Sequence, residues 1–204
     1  MRQIVSAEAE DIPPEGGRFV KSLNSDGASW IVTDFYPDSD TQFTFSFNNA
    51  AYDVGYENFY GAAGYTFRAQ HNASYTTYTG VVITAWGGAH LNVNLPPDGD
   101  HVIYVDRPGA KLIVDNKTTN FTAETEYSIS QFPLLIFAIG AGTTGLNVDK
   151  PGTFKLYEAS VKQNGALTHK WRPAIDGDGV ACLYDTVTKK CLYNAGTGTF
   201  TFDE

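Results

Sequence analysis

Helical periodicity is almost absent along the chain, and where apolar and polar positions do alternate they do so with a period of two. The clearest stretch runs from Thr41 to Asn48. Phe43, Phe45 and Phe47 fall on one face there, and Gln42, Thr44, Ser46 and Asn48 on the other, which predicts a strand with one face against a core. The same reading predicts strands over 30–34, 81–86, 89–95, 101–107, 110–115, 121–129 and 134–139. Turn chemistry separates them at Tyr36-Pro-Asp-Ser-Asp40, Pro96-Pro-Asp-Gly99, Arg107-Pro-Gly109 and Asp115-Asn116. About a dozen short strands at this spacing imply an all-β chain, a two-sheet antiparallel sandwich or jelly roll.

The last fifty residues carry the sharpest local signals. A strand over 154–161 meets a second over 166–172 through Asn164-Gly165, a pair whose preference for positive φ marks a tight hairpin. The acidic glycine turn Asp176-Gly-Asp-Gly179 follows, then a hairpin over 180–193 and the closing run Asn194-Ala-Gly-Thr-Gly-Thr-Phe200. With a four-residue loop over 186–189, Tyr184 faces Cys191, and Cys182 and Cys191 become diagonal neighbours, poorly aligned for a disulfide. They are expected as free thiols packed like small hydrophobes.

Those closing segments also carry a resemblance. Lys155-Leu-Tyr-Glu-Ala-Ser-Val-Lys-Gln-Asn-Gly165, Asp178-Gly-Val-Ala-Cys-Leu-Tyr-Asp185 and Tyr193-Asn-Ala-Gly-Thr-Gly-Thr-Phe200 resemble the final strands of concanavalin A-like, laminin-G-type jelly rolls. Arg18-Phe-Val-Lys-Ser-Leu23, Trp30-Ile-Val-Thr-Asp34 and Thr41 to Phe47 are similar to the opening strands of that fold. Asn58-Phe-Tyr-Gly-Ala62 and Leu134-Leu-Ile-Phe-Ala138 stand where that family has central strands. The subgroup is abundant in gut bacterial surface proteins and phage structural proteins. The resemblance implies a fold and a setting, a virion surface or an extracellular cell surface, more than a chemistry, because one fold hosts many functions.

Composition narrows the partners. A formal net charge of −9 over 204 residues speaks against nucleic acid and against anionic membrane surfaces, which need basic patches. No run is long and apolar enough to span a bilayer, and the first ten residues hold no signal-peptide core. Residues 1–17, ending in Ile12-Pro-Pro-Glu-Gly-Gly17, are expected as a lead or linker, with the jelly-roll domain over 18–204. Neutral glycans or cell-surface polysaccharides, other virion or surface proteins, and further copies of the chain remain compatible partners.

Candidate chemistry centres on the hairpin from Val81 to Leu95. A three-residue loop at Gly87-Gly-Ala89 would pair Trp86 with His90, Thr84 with Asn92 and Val82 with Asn94, setting Trp86, His90, Asn92 and Asn94 on one face. An aromatic platform beside amides suits a sugar, whose C–H face stacks while its hydroxyls find hydrogen bonds. Tyr75 and Tyr78, from the tyrosine-rich stretch before it, join these as candidate ligand contacts. Asp176 and Asp178 form a candidate calcium turn, although the run lacks the twelfth-position glutamate of an EF-hand loop. No other cofactor is expected. Catalytic residues are not expected either. Glu124-Thr-Glu126 puts two carboxylates on one strand face, but the aspartate of the glucanase signature is missing between them. The expected function is therefore non-catalytic glycan recognition or attachment, with a structural or decoration protein of a virion as the alternative and a glycoside hydrolase as a remote one.

Overall fold

The computed structural model describes residues 11–49, 56–62, 67–72, 81–85, 90–93, 99–122, 130, 132–141, 147–149 and 151–204. Among these residues there is no helix. In chain order the strands are β1 (Arg18–Phe19), β2 (Ser22–Asn24), β3 (Ile31–Val32), β4 (Thr41–Asn49), β5 (Tyr56–Ala62), β6 (Phe67–Asn72), β7 (Val81–Ala85), β8 (His90–Val93) and β9 (Gly99–Asp106). They continue with β10 (Lys111–Val114), β11 (Lys117–Asn120), β12 (Leu135–Ile136), β13 (Ile139–Ala141), β14 (Asn147–Asp149), β15 (Lys155–Gln163), β16 (Ala166–Ile175), β17 (Ala181–Asp185), β18 (Lys190–Leu192) and β19 (Thr201–Asp203).

The strands form two main antiparallel sheets. The larger runs β11-β10-β9-β4-β15-β16-β17-β18, with β1 added to β16, and β2 joined to β15 and β19. The smaller runs β3-β12-β5-β6-β7-β8, and β13 and β14 pair as a separate ribbon. The segments expected as central strands, Asn58 to Ala62 and Leu134 to Ala138, do meet: Leu135 pairs with Gly61 and Ile136 with Tyr60.

The alternation in β4 is what joins the layers. Phe43, Phe45 and Phe47 are fully buried, while Gln42, Thr44, Ser46 and Asn48 remain partly exposed on the outer face. Across the interior the Phe43 ring meets Tyr60 of β5 edge-on at 4.7 Å, and Phe47 meets Phe59 at 4.8 Å. Phe154 closes the layer, edge-on to Phe59 at 5.2 Å and stacked on Phe137 at 4.4 Å. The result is one aromatic core between the sheets, an all-β sandwich.

Turn chemistry fixes the registers. Asn164 and Gly165 adopt φ of 51° and 75°, the two positive values a tight β15–β16 turn needs, and a bulge follows between Val161 and Lys162. Asp115 and Asn116, at 47° and 69°, make the same kind of turn into β11. The sequence pattern marks that turn but not the strand beyond it, because all four residues of β11 are exposed and none follows apolar alternation. Strand β17 pairs Tyr184 with Cys191, the expected register, and both cysteines are free, Cys182 buried and Cys191 half-buried.

The β7–β8 register differs from the expected one. Val81 pairs with Val93, Val82 with Asn92, Ile83 with Leu91 and Thr84 with His90, two residues short of the expected pairing. Thr84 and His90 are the last pair toward the turn among the described residues, and Gly87-Gly-Ala89, expected as the loop, lies outside them. Because strand direction repeats every two residues, the shift leaves like-facing positions paired.

Residues 11–17 run along β16. Asp11 Oδ2 accepts from Lys170 Nζ at 2.7 Å and from Arg172 Nη1 at 3.3 Å. Gly17 lies so close to the chain that a Cβ there would fall 2.2 Å from the Ile175 carbonyl oxygen.

Candidate functional site: an open cleft at the closing hairpin

The acidic turn after β16 is built around one carboxylate. Asp176 Oδ1 accepts from the Asp178 and Val180 backbone N–H groups at 3.0 and 2.8 Å, and Gly179 takes φ of +83° to complete the turn. Asp176 Oδ2 accepts the Tyr193 hydroxyl at 2.8 Å. The Val180 N–H, and after it the Tyr193 hydroxyl, hold the Asp176 carboxyl below the usual carboxylate range. The hydrogen bond to Asp176 in turn raises the Tyr193 phenol, so its ring is pinned as a neutral group.

The closing run forms the opposite wall, and side-chain amides and carboxylates hold it in place. Asn194 Oδ1 accepts from the Trp30 and Gly196 N–H groups at 3.2 and 2.8 Å, while Asn194 Nδ2 donates to the Gly198 carbonyl at 2.7 Å. Asp26 Oδ2 accepts from the Thr199 N–H at 2.9 Å, and Asp26 Oδ1 accepts from Ala28 N–H and Ser29 Oγ. The loop lies so close to 26–30 that a Cβ on Gly196 would sit 2.2 Å from the Ala28 carbonyl oxygen, and one on Gly198 2.3 Å from Asp26 Oδ1. Both glycines of Gly-Thr-Gly are thus explained by close approach, not by strand pairing.

Between the turn and this loop opens a cleft of about 630 Å³. That volume lies within the range of small-ligand sites. Its rim carries Val180, Tyr193 and Phe202, which are 49%, 48% and 38% exposed. Phe200 lies beneath, and Asp178 and Thr199 supply polar groups. Asp178 is exposed, and its carboxylate makes no hydrogen bond or ion pair to the described residues. A smaller opening of about 450 Å³ lies on the outer face of β9 and β10, between Val102, Tyr104 and Ile113.

Of the sequence-predicted residues, Asp176 and Asp178 line this cleft. Trp86, Asn94, Tyr75 and Tyr78 lie outside the described residues, as do Glu124 and Glu126. His90 and Asn92 belong to β8, paired with Thr84 and Val82. Asp176 and Asp178 both reach the cleft, but with different availability: the first has both oxygens committed within the chain, and the second is open. Among the described residues, the metal-type side chains that converge are instead Asp34, His169 and Asp185, with candidate ligand atoms within 4.8 Å of one another.

That cluster is a turn anchor. Asp185 Oδ2 takes His169 Nδ1 at 2.7 Å and Thr188 Oγ1 at 2.9 Å, and Asp185 Oδ1 takes the N–H groups of Lys170, Val187 and Thr188. His169 stacks on Trp171 at 5.1 Å.

Of the residues lining the cleft, sequence reasoning picked out Asp176 and Asp178 and missed the others, Tyr193, Phe202, Val180 and Thr199 among them. The available signal was the placing of aromatic residues, Tyr193 on one side and Phe200 and Phe202 on the other, around two closely packed glycines. No protein family, curated protein or solved structure matches the chain.

Proposed function

We propose that the chain is a non-catalytic glycan-recognition or attachment module, of the concanavalin A-like jelly-roll type, carried on a virion or a bacterial cell surface. The observation that carries this reading is the cleft at the closing hairpin: exposed aromatic rings on its rim, Tyr193 tied to Asp176, beside an uncommitted carboxylate. Sugars are bound by that combination, because their apolar faces stack on rings while their hydroxyls donate and accept hydrogen bonds. The alternation of β4, the Asn164-Gly165 turn and the closing run support the jelly-roll assignment through the motifs quoted above. Net charge of −9 agrees with a partner other than nucleic acid.

A second reading, a structural or decoration protein that binds other virion or surface proteins or further copies of itself, is favoured by one feature. Among the described residues, strand β11 ends the large sheet with all four residues exposed, and an edge of that kind can take another strand. Glycan-array binding of the purified chain decides between the two. The recognition reading expects binding to a defined set of glycans with no release of reducing ends. A blank array together with concentration-dependent self-association or capture on partner virion proteins would transfer the assignment to the second reading.

A further inference from the structure

Three properties of the closing cleft specify a class of ligand. The first is a preorganised ring. Tyr193 projects from the end of β18 with about half its surface exposed, yet its hydroxyl is tied to Asp176, which is itself tied to the turn backbone. A ring held in this way loses little freedom when a ligand stacks on it.

The second property is the kind of polar group left over. Asn194 and Asp176 are consumed in holding the walls, so the groups that remain are the Asp178 carboxylate and the Thr199 hydroxyl. An ionised carboxylate only accepts hydrogen bonds, and therefore calls for a ligand that donates them. The third is the sign of the charge. Asp176 and Asp178 both line the cleft, and Arg18, which lies over the Phe202 ring at 5.9 Å, is already paired with Glu204 at 2.7 Å. Anionic sugars meet repulsion here, whereas neutral or amino sugars do not.

We propose that this cleft is a subsite for a non-anionic pyranose, stacked on Tyr193 between Val180 and Phe202, with neighbouring sugar hydroxyls donating to Asp178. The assignment rests on the glycan-recognition reading and adds to it the location, the contact residues and the charge class of the ligand.

The test is titration calorimetry on the full chain. The probes are neutral gluco-, galacto- and N-acetylglucosamine oligosaccharides, set against sialyllactose and oligogalacturonate. Binding to at least one neutral probe is expected, with Tyr193→Ala and Asp178→Asn each weakening it about tenfold or more, the scale of losing one stacked ring or one charged hydrogen bond. Asp178→Asn removes no contact within the described fold, so its melting temperature should match the wild type and a binding loss cannot be ascribed to misfolding. Wild-type affinity for a neutral glycan in both variants would place the sugar elsewhere, overturning the cleft assignment while leaving glycan recognition standing. Preference for the anionic probes would overturn the charge class. No binding to any probe would remove the glycan reading and this subsite together.

Discussion

Two sets of aromatic rings, Phe43, Phe45 and Phe47 on β4, and Tyr193 just past β18 with Phe202 on β19, belong to one sheet and its margin yet meet opposite fates. The first set is fully buried and the second 48% and 38% exposed. The difference lies in what covers them. Strand β4 sits in the middle of the large sheet, with β9 and β15 on either side and the smaller sheet across the interior. Among the described residues, strand β18 is the last of its row, and β19 pairs with β2 alone. Rings at the centre are positioned by the packing of other rings; at the periphery Tyr193 is positioned by a polar pin, its hydroxyl bond to Asp176. A core ring should therefore act on stability, and a peripheral ring on binding.

The largest effect expected is in the centre. Phe45 is fully buried and touches Phe43, Phe47, Tyr60 and Phe154. Truncating a ring in such a site typically costs about 3 to 5 kcal/mol, so Phe45→Ala should lower the melting temperature by roughly 10 °C. Thermal unfolding followed by circular dichroism reads this directly. A shift of only a degree or two would mean that the β4 rings are not the joint between the sheets, and the contrast with the periphery would collapse.

That joint was legible in the sequence, and the reason is physical. Strict alternation over Thr41 to Asn48 forces three phenylalanines to one side whatever the rest of the chain does, and Asn164-Gly165 admits few conformations other than the tight turn it forms. The cysteine hairpin was legible for the same reason, since Asp185 to Lys190 fixes its loop length. Less could be read where a choice depended on distant partners. Gly87-Gly88 suggested one register for the hairpin, yet Thr84 pairs with His90 where Asn92 was expected. Strand β11 has no apolar face to announce it. The cleft was only half visible: Asp176 and Asp178 stand out as a turn, but the closeness of Gly196 to Ala28 and of Gly198 to Asp26, which brings the second wall into place, involves residues about 170 positions apart.

A smaller effect, intermediate between centre and rim, is expected at Asp185, whose side chain is 1% exposed. Burial by itself raises its carboxyl pKa. Hydrogen bonds from His169, from the Lys170 and Val187 N–H groups and from Thr188 outweigh that, and the value in the folded chain lies below normal. A depressed folded value means stability that is fully present above the unfolded carboxyl pKa of about 3.9 and is lost as pH falls through the folded value. Denaturant unfolding of the wild type should therefore weaken steeply below about pH 4, and Asp185→Asn should be less stable at pH 7 but lose less on acidification. Equal acid sensitivity in the two proteins would show that the His169 and Asp185 pair contributes nothing to holding the β17–β18 turn.

The smallest change in stability, and the sharpest test of the contrast, is expected from Tyr193→Phe. The substitution keeps the ring and removes one exposed hydroxyl. Asp176 retains its bonds to the Asp178 and Val180 N–H groups, so the turn keeps its cap. Surface changes of this kind usually stay within about 0.5 kcal/mol, and melting should be nearly unaltered. What is lost is the pin. A ring free to rotate must be immobilised when a sugar stacks on it, at a cost of about 0.5 to 1.5 kcal/mol, so affinity for a neutral oligosaccharide should fall roughly two- to tenfold, less than for Tyr193→Ala. Graded losses in the order wild type, Phe, Ala, at constant melting temperature, would show that the peripheral ring works by being held in place. Equal affinity for wild type and Tyr193→Phe would leave stacking area as the whole contribution, and would mean that the Asp176 bond serves the turn and not the ligand.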